Sequence, residues 1–446
     1  MPSAPRACLR ASAPLMVALG TILSPGASAS QTGWPMAGGD ASHGGTIEGP
    51  SPPYRVTWTR RIPGGPVGGV AATDELAVVV AEGTVVALDP NDGTLLWIRA
   101  RAGGPAGVPA LAKGLVLHAS GEGDEGELVA RDVSEGGVVW EAGLGSAARG
   151  GPTVADETAF VGTEAGELVA LDVSTGEVLW EFETLGEIRG PPAVEDGTVV
   201  VVAYEESSAR STVYAVDAQA GGEDGPLWRF EAGAVGPPSA PSIGDDLAYV
   251  GTSDLNVRAF DLGEGDEVWS ETSRDGFGPR QVPAAGAALV LADRTHAYRL
   301  DPETGDEAWN YLLADLAELE EGRFNTLLAT APAITGGTVL LGSGDGTLSA
   351  IDLDTGHRVW RHDMGTLAVG PVAATEDHIY AVTLGEAGAV TAFEHDPEGR
   401  LLDEVSPTVL FVGRALLNFA AAAVAVGAAI LLLFRLILRP RTGGRT

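Results

Sequence analysis

The chain has 446 residues, 62 of them glycine and 28 proline, and its 61 acidic residues outnumber 27 basic ones for a formal charge of -34. Glycine and proline punctuate short apolar runs instead of forming a low-complexity tract, which is an all-β composition. With no large basic patch to meet phosphate, nucleic acid is excluded as a partner, and the single cysteine, Cys8, excludes a disulfide framework and a thiolate metal site.

From the N-terminus, residues 1–29 read as a secretory signal, with Arg6 and Arg10, an apolar run from Leu15 to Leu23, and Ala27-Ser28-Ala29 as the small-residue cleavage site. An ectodomain spanning 30–406 follows. It opens on Gly33-Trp34-Pro35-Met36-Ala37-Gly38-Gly39-Asp40, a short segment expected to pack structurally. Val56-Thr57-Trp58-Thr59 then reads as a strand that has no hairpin before it.

Next come seven copies of one unit, best read in Gly166 to Trp180, GELVALDVSTGEVLW. Leu168, Ala170 and Asp172 alternate with Val169 and Leu171, Ser174-Thr175-Gly176 makes a turn, and Val178 to Trp180 begins the return strand. Asp172 is placed to accept backbone N–H bonds two residues on, and Gly176 supplies the positive φ of the turn. The Asp and Trp recur as Asp89 with Trp97, Asp132 with Trp140, Asp217 with Trp228, Asp261 with Trp269, Asp301 with Trp309, and Asp352 with Trp360. A glycine follows each Asp at a fixed offset (Gly93, Gly136, Gly176, Gly221, Gly265, Gly305, Gly356), and an alanine precedes it except at Arg299. The period, about 40 to 50 residues, is that of a propeller blade.

Ala-x-Asp-x-x-x-Gly-x-x-x-Trp resembles the tryptophan-docking repeat of the pyrroloquinoline-quinone (PQQ) type propellers, which include quinoprotein dehydrogenases and BamB-like scaffolds. The resemblance implies that each indole stacks between the small alanine of one repeat and the glycine peptide of a neighbour. It casts Trp58, Trp97, Trp140, Trp180, Trp228, Trp269, Trp309 and Trp360 as blade-docking residues. An eighth unit begins at Pro371-Val372-Ala373 and reaches Val390-Thr391-Ala392-Phe393-Glu394 without a tryptophan, and the orphan strand at Trp58 can complete it. The expected fold is therefore an all-β, eight-bladed propeller of four-stranded antiparallel blades, closed by strands from both ends of the chain.

Beyond Pro407 the residues 415–434 form an almost uncharged apolar stretch, about 30 Å long as a helix and enough to span a bilayer. Arg435, Arg439, Arg441 and Arg445 follow it, so the tail 435–446 is expected in the cytoplasm and the propeller outside, a single-pass type I arrangement at the cell surface. The acid excess, with Lys113 the lone lysine, points to a halophile, expected to be an archaeon, because molar salt shrinks the Debye length to about 3 Å and screens self-repulsion.

Strand parity puts the second-to-third-strand loops and the blade-to-blade loops on one face, where partners and ligands usually bind. Arg101, Arg149, Arg189, Arg280 and Arg323 lie in blade-to-blade loops there, and guanidinium forks suit a carboxylate or phosphate on the central funnel. Local pairing with carboxylates is the competing reading. In the long excursion Tyr311 to Thr330, Leu312, Leu316 and Leu319 have helical spacing. The acidic run Glu122-Gly-Asp124-Glu125-Gly-Glu127 matches no calcium-loop spacing, and the seven histidines show no zinc spacing. In the resembled enzymes PQQ and calcium sit on the funnel face, in many members against adjacent cysteines; here no local motif marks either, so no cofactor, metal or catalytic residue is expected. The function expected is a membrane-anchored, non-catalytic module that binds a protein partner or extracellular ligand. The alternatives are a membrane-bound PQQ-dependent oxidoreductase and a surface sensor of an anion or polysaccharide.

Overall fold

In the third repeat the predicted hairpin forms between Glu167–Asp172 and Val178–Glu183, with Ala170 opposite Trp180 and a bulge just after Ala170. Asp172 Oδ1 accepts from the Ser174 and Thr175 amides at 3.0 and 2.8 Å, and Gly176 turns with φ +73°. Thr158–Gly162 and Thr153–Ala155 complete a four-stranded meander. Leu168 to Leu171 are all buried, so this strand is covered on both faces. The outermost strand leaves Val178 and Leu179 exposed at the rim. A sheet covered on both faces needs a neighbour on each side, which is the physical demand a ring of blades meets.

The structure, a computed structural model, describes residues 33–65, 67–233, 238–272, 284–285, 288–292, 296–313, 331–365, 369–383 and 388–401. The predicted signal 1–29, span 415–434 and tail 435–446 lie outside the described residues. So do Arg280, Arg323, Leu316 and Leu319. Among the described residues no helix is long and apolar enough to cross a membrane; the one helical element is a single 3-10 turn, Gly123–Glu125.

Eight sheets follow one another as eight blades. The last is Val369–Ala374, Ile379–Thr383 and Ala389–His395 with Tyr54–Arg61 as its outer strand, so both ends of the propeller meet in one sheet. Trp58 stands opposite Ala392, reproducing across that seam the alanine–tryptophan pair of the other blades. The indole nitrogens then trace the circle. Trp58 donates to Pro90 O (2.9 Å), Trp97 to Val133 O (2.8 Å), Trp140 to Val173 O (2.9 Å) and Trp180 to Ala218 O (3.0 Å). Trp228 donates to Leu262 O (2.8 Å), Trp269 to Pro302 O (2.8 Å), Trp309 to Leu353 O (2.7 Å) and Trp360 back to Tyr54 O (3.1 Å). Each joint buries an indole worth at most about 5 kcal/mol, taking roughly 200 Å² at about 25 cal/mol per Å².

The segment Gly33 to Pro50 does more than precede the first blade, because it crosses the inner strands of most of the ring. Gly33–Trp34 pairs with Ala72 and Thr73 of blade 1, and Pro35 O accepts from Leu111 N of blade 2 at 2.7 Å. Ala41 O, Ser42 O and Gly45 O accept from Val194 N, Ile243 N and Ile334 N of blades 4, 5 and 7 at 2.7, 2.8 and 2.7 Å. His43 is buried between blades 3 and 5, its Nδ1–H donating to Pro241 O at 2.9 Å, and burial holds its pKa below the usual imidazole range. Backbone bonds to so many blades make this segment an axial tie across the ring.

Candidate functional site

On the loop face a cavity of about 440 Å³ opens near the inner strands, bordered by Val70, Val108, Pro191, Pro238 and Val372 in or just before the inner strands of blades 1, 2, 4, 5 and 8. Trp34, Ala37 and Gly38 of the axial segment also line it. Glycines at Gly107, Gly150, Gly151 and Gly190 bring backbone close to neighbouring backbone; a Cβ on Gly107 would stand 2.9 Å from Gly151 N. The wall is thus apolar side chain and bare peptide.

The three described loop arginines take different roles. Arg149 and Arg189 reach the cavity rim. Arg149 pairs with Glu164, and Arg189 with Glu187 at 2.6 Å and Glu206 at 3.7 Å while its guanidinium lies 5.0 Å above the Tyr204 ring. The hydrogen bond to Glu187 is also what raises the Arg189 pKa. Arg101 is buried instead, donating from Nε to Ala119 O (2.8 Å), from Nη1 to Glu82 O (2.7 Å) and Gly104 O (3.1 Å), and from Nη2 to Pro105 O. Burial lowers its pKa to about 10, with Glu82 opposing, so it stays charged at neutral pH and ties the loops of blades 1 and 2 with no fork left for a ligand. Arg258 of blade 5, which the sequence pattern did not single out, pairs with Asp254 and Glu267 at 2.6 and 2.9 Å. Burial pushes Asp254 up, but the bonds from Arg258 and Thr252 outweigh it and hold the carboxyl at about 2.

These pairs share a logic. Glu164, Glu206 and Asp254 come from second-to-third-strand loops, the arginines from beside them, and a loop face crowded with acid recruits each cation to a neighbouring carboxylate. A second groove of about 470 Å³ continues from the cavity over Glu82, Glu122, Arg149 and Glu164. Among the described residues no three His, Cys, Asp or Glu side chains gather to hold a metal, and the carboxylates at the rim are engaged by arginine. The acidic run at Glu122 folds into the 3-10 turn Gly123–Glu125. His118, buried in blade 2, accepts from Arg131 Nε at 3.0 Å, and burial drops its pKa to about 3.

The sequence pattern missed Trp34 and Tyr204, both lining the cavity. The available signal was negative: Trp34 stands outside the Asp–Trp spacing that every docking tryptophan after Trp58 except Trp228 obeys.

The family model described as "Outer membrane protein assembly factor BamB" matches residues 52–141, 124–285 and 293–402, well over half the chain. The chain belongs to that family. The BamB-family propeller of Moraxella catarrhalis superposes with a TM-score of 0.58 at 16% identity, covering 78% of this chain and 100% of that one. The quinohemoprotein alcohol dehydrogenase of Comamonas testosteroni gives 0.64 at 14% identity, over 85% and 83%. By sequence, the methanol dehydrogenase [cytochrome c] subunit 1 of Methylobacterium organophilum is 28% identical over 203 residues, 37% of this chain. The serine/threonine-protein kinase AfsK of Streptomyces griseus is 31% identical over 128 residues, 28% of this chain. The matched stretches span only 30% and 15% of the length of those two proteins.

Proposed function

We propose that this BamB-family propeller is a membrane-anchored extracellular binding module, without chemistry of its own, that holds a protein partner or ligand on its loop face. The supporting observation is the loop-face cavity, bordered by residues of several blades and by the axial segment, with paired arginines at its rim. Anchoring rests on the apolar stretch 415–434 and the arginines after it, and export on residues 1–29. The high acid content supports work in concentrated salt, which melting curves in dilute buffer and in molar KCl would test; identical midpoints contradict it. Cross-linking the full chain in its native membrane, with and without a loop-face block made by Ala240→Trp, tests the binding reading. A partner lost on blocking supports it, and an unchanged cross-link pattern removes the loop face from the function.

The likeness to methanol dehydrogenase over 37% of the chain keeps a second reading, a PQQ-dependent oxidoreductase. PQQ and calcium added to the full chain, followed by dye reduction with an alcohol or sugar, decide between the two.

A further inference from the structure

The nine tryptophans divide eight to one. Eight give their indole N–H to a carbonyl of the adjoining blade. Trp34 does not: it is 3% exposed, it lines the cavity, and its Nε1–H has no acceptor among the described residues. Tyr204 repeats the pattern, 8% exposed with no partner for its Oη–H among the described residues. Neither polar atom is among the sealed, unsatisfied ones, so each opens onto space, and the space both residues line is the cavity. A donor that opens onto the cavity from an otherwise apolar wall is a place where a ligand acceptor can replace water.

We propose that the cavity binds a small uncharged ligand with an apolar body and carbonyl-type oxygens, which accept from Trp34 Nε1–H and Tyr204 Oη–H. The proposal rests on the loop-face binding reading and adds the chemistry of the occupant. Acceptors are required because indole and guanidinium offer donors only, and a cation brings no acceptor. Neutrality follows from charge balance. Arg149 is matched by Glu164, and Arg189 by Glu187 and Glu206, so the rim has no surplus cation to hold an anion. The volume of about 440 Å³ lies within the usual range of small-molecule pockets, and Val70, Val108 and Val372 suit an apolar body.

The test uses the full chain in molar KCl and matched aromatic probes: coumarin-3-carboxamide, coumarin-3-carboxylate, naphthalene-2-carboxamide, naphthalene-2-carboxylate, and tryptamine as the cation. The carboxamides should bind about tenfold more tightly than their carboxylates, and Trp34→Phe, which keeps an aromatic side chain but removes the N–H along with the pyrrole part of the indole, should weaken them about tenfold. Tyr204→Phe should act in the same direction. Trp97→Phe, at a blade joint, should leave the affinity unchanged. On the unsubstituted protein, where no variant has to fold, carboxamide should slow nitration of Tyr204 and tryptamine should not. Carboxylates binding as tightly as carboxamides, tryptamine binding best, or indifference to Trp34→Phe would overturn the neutral-acceptor proposal while leaving a ligand site in the cavity. No binding by any probe, together with unprotected Tyr204, would take down the cavity reading with it.

Discussion

At the joint between blades 2 and 3 the Trp140 indole lies against Gly176, so closely that a Cβ there would stand 2.5 Å from its ring. At the joint between blades 7 and 8, Trp360 meets no such glycine among the described residues. Tyr54 packs edge-on at 5.1 Å, Phe393 edge-on at 5.6 Å, and His362 stacks at 5.8 Å. The difference follows from topology: the outer two strands of blade 8 come from opposite ends of the propeller, so no hairpin turn joins them to offer its peptide to the incoming indole. Where local turn chemistry is unavailable, aromatic area takes its place. The same hydrogen bond survives at both joints, to Val173 O in one and Tyr54 O in the other.

The most severe way to break the comparison is to remove the indoles. Trp140→Ala and Trp360→Ala should each cost about 3 to 5 kcal/mol in denaturant unfolding. A loss at Trp360 less than half that at Trp140 would mean that the aromatic cluster, and not its indole, closes the ring. Alanine at Gly176 comes next, at about 2 to 3 kcal/mol, because it combines a φ of +73° with the ring clash. His362→Ala, which only thins the stack at the closing joint, should cost about 1 kcal/mol, and equal losses at the two positions would contradict the contrast between them.

The joint between blades 1 and 2 adds a pH signature that the closing joint lacks. Arg131 donates to Gly136 O and Ala100 O at 3.2 and 3.0 Å and to His118 Nε2, whose pKa burial has lowered to about 3. Because the unfolded imidazole takes up a proton near pH 6.5 and the folded one does not, this contribution is complete above pH 6.5. It is lost as pH falls toward 3, with a slope of at most about 1.4 kcal/mol per pH unit. His118→Gln should flatten the stability curve across that window. An unaltered slope would mean that His118 is already protonated in the fold.

Most of the ring was legible in the chain because its joints are local and repeated. Asp172, Gly176 and Trp180 lie within one hairpin, and seven copies announce both the blade and the orphan strand at Trp58. The axial segment was not legible as a tie, since Pro35, Ala41, Ser42 and Gly45 bind other blades through backbone carbonyls, which leave no mark on side-chain pattern. The loop arginines were legible as a set of equivalent positions. Their fates were not, because the Arg149–Glu164 and Arg189–Glu206 pairs join loops of different blades or strands, and Arg101 turns inward onto carbonyls that any residue type supplies. Trp34 was hidden for the opposite reason: it obeys no repeat.

An effect as small as that of His362→Ala is expected at the closing joint itself, in the Tyr54 hydroxyl. It lies 3.1 Å from Thr338 Oγ1 and 3.2 Å from Pro50 O, so Tyr54→Phe keeps the edge-on contact with Trp360 and removes only the polar link to blade 7, at about 1 kcal/mol. Burial pushes the phenol pKa up to about 12, with the Thr338 bond opposing, so between pH 10 and 12 the unfolded phenol ionises while the folded one stays neutral. Stability carried by this group is therefore present below pH 10 and declines as pH rises to 12. Burial raises Tyr249 and Tyr380 in the same direction, so the measurable quantity is the difference between parent and Tyr54→Phe across that range. A variant that loses stability with the same slope as the parent would show that the hydroxyl is not sealed at the seam, and that the ring closes on aromatic packing and the Trp360 bond alone.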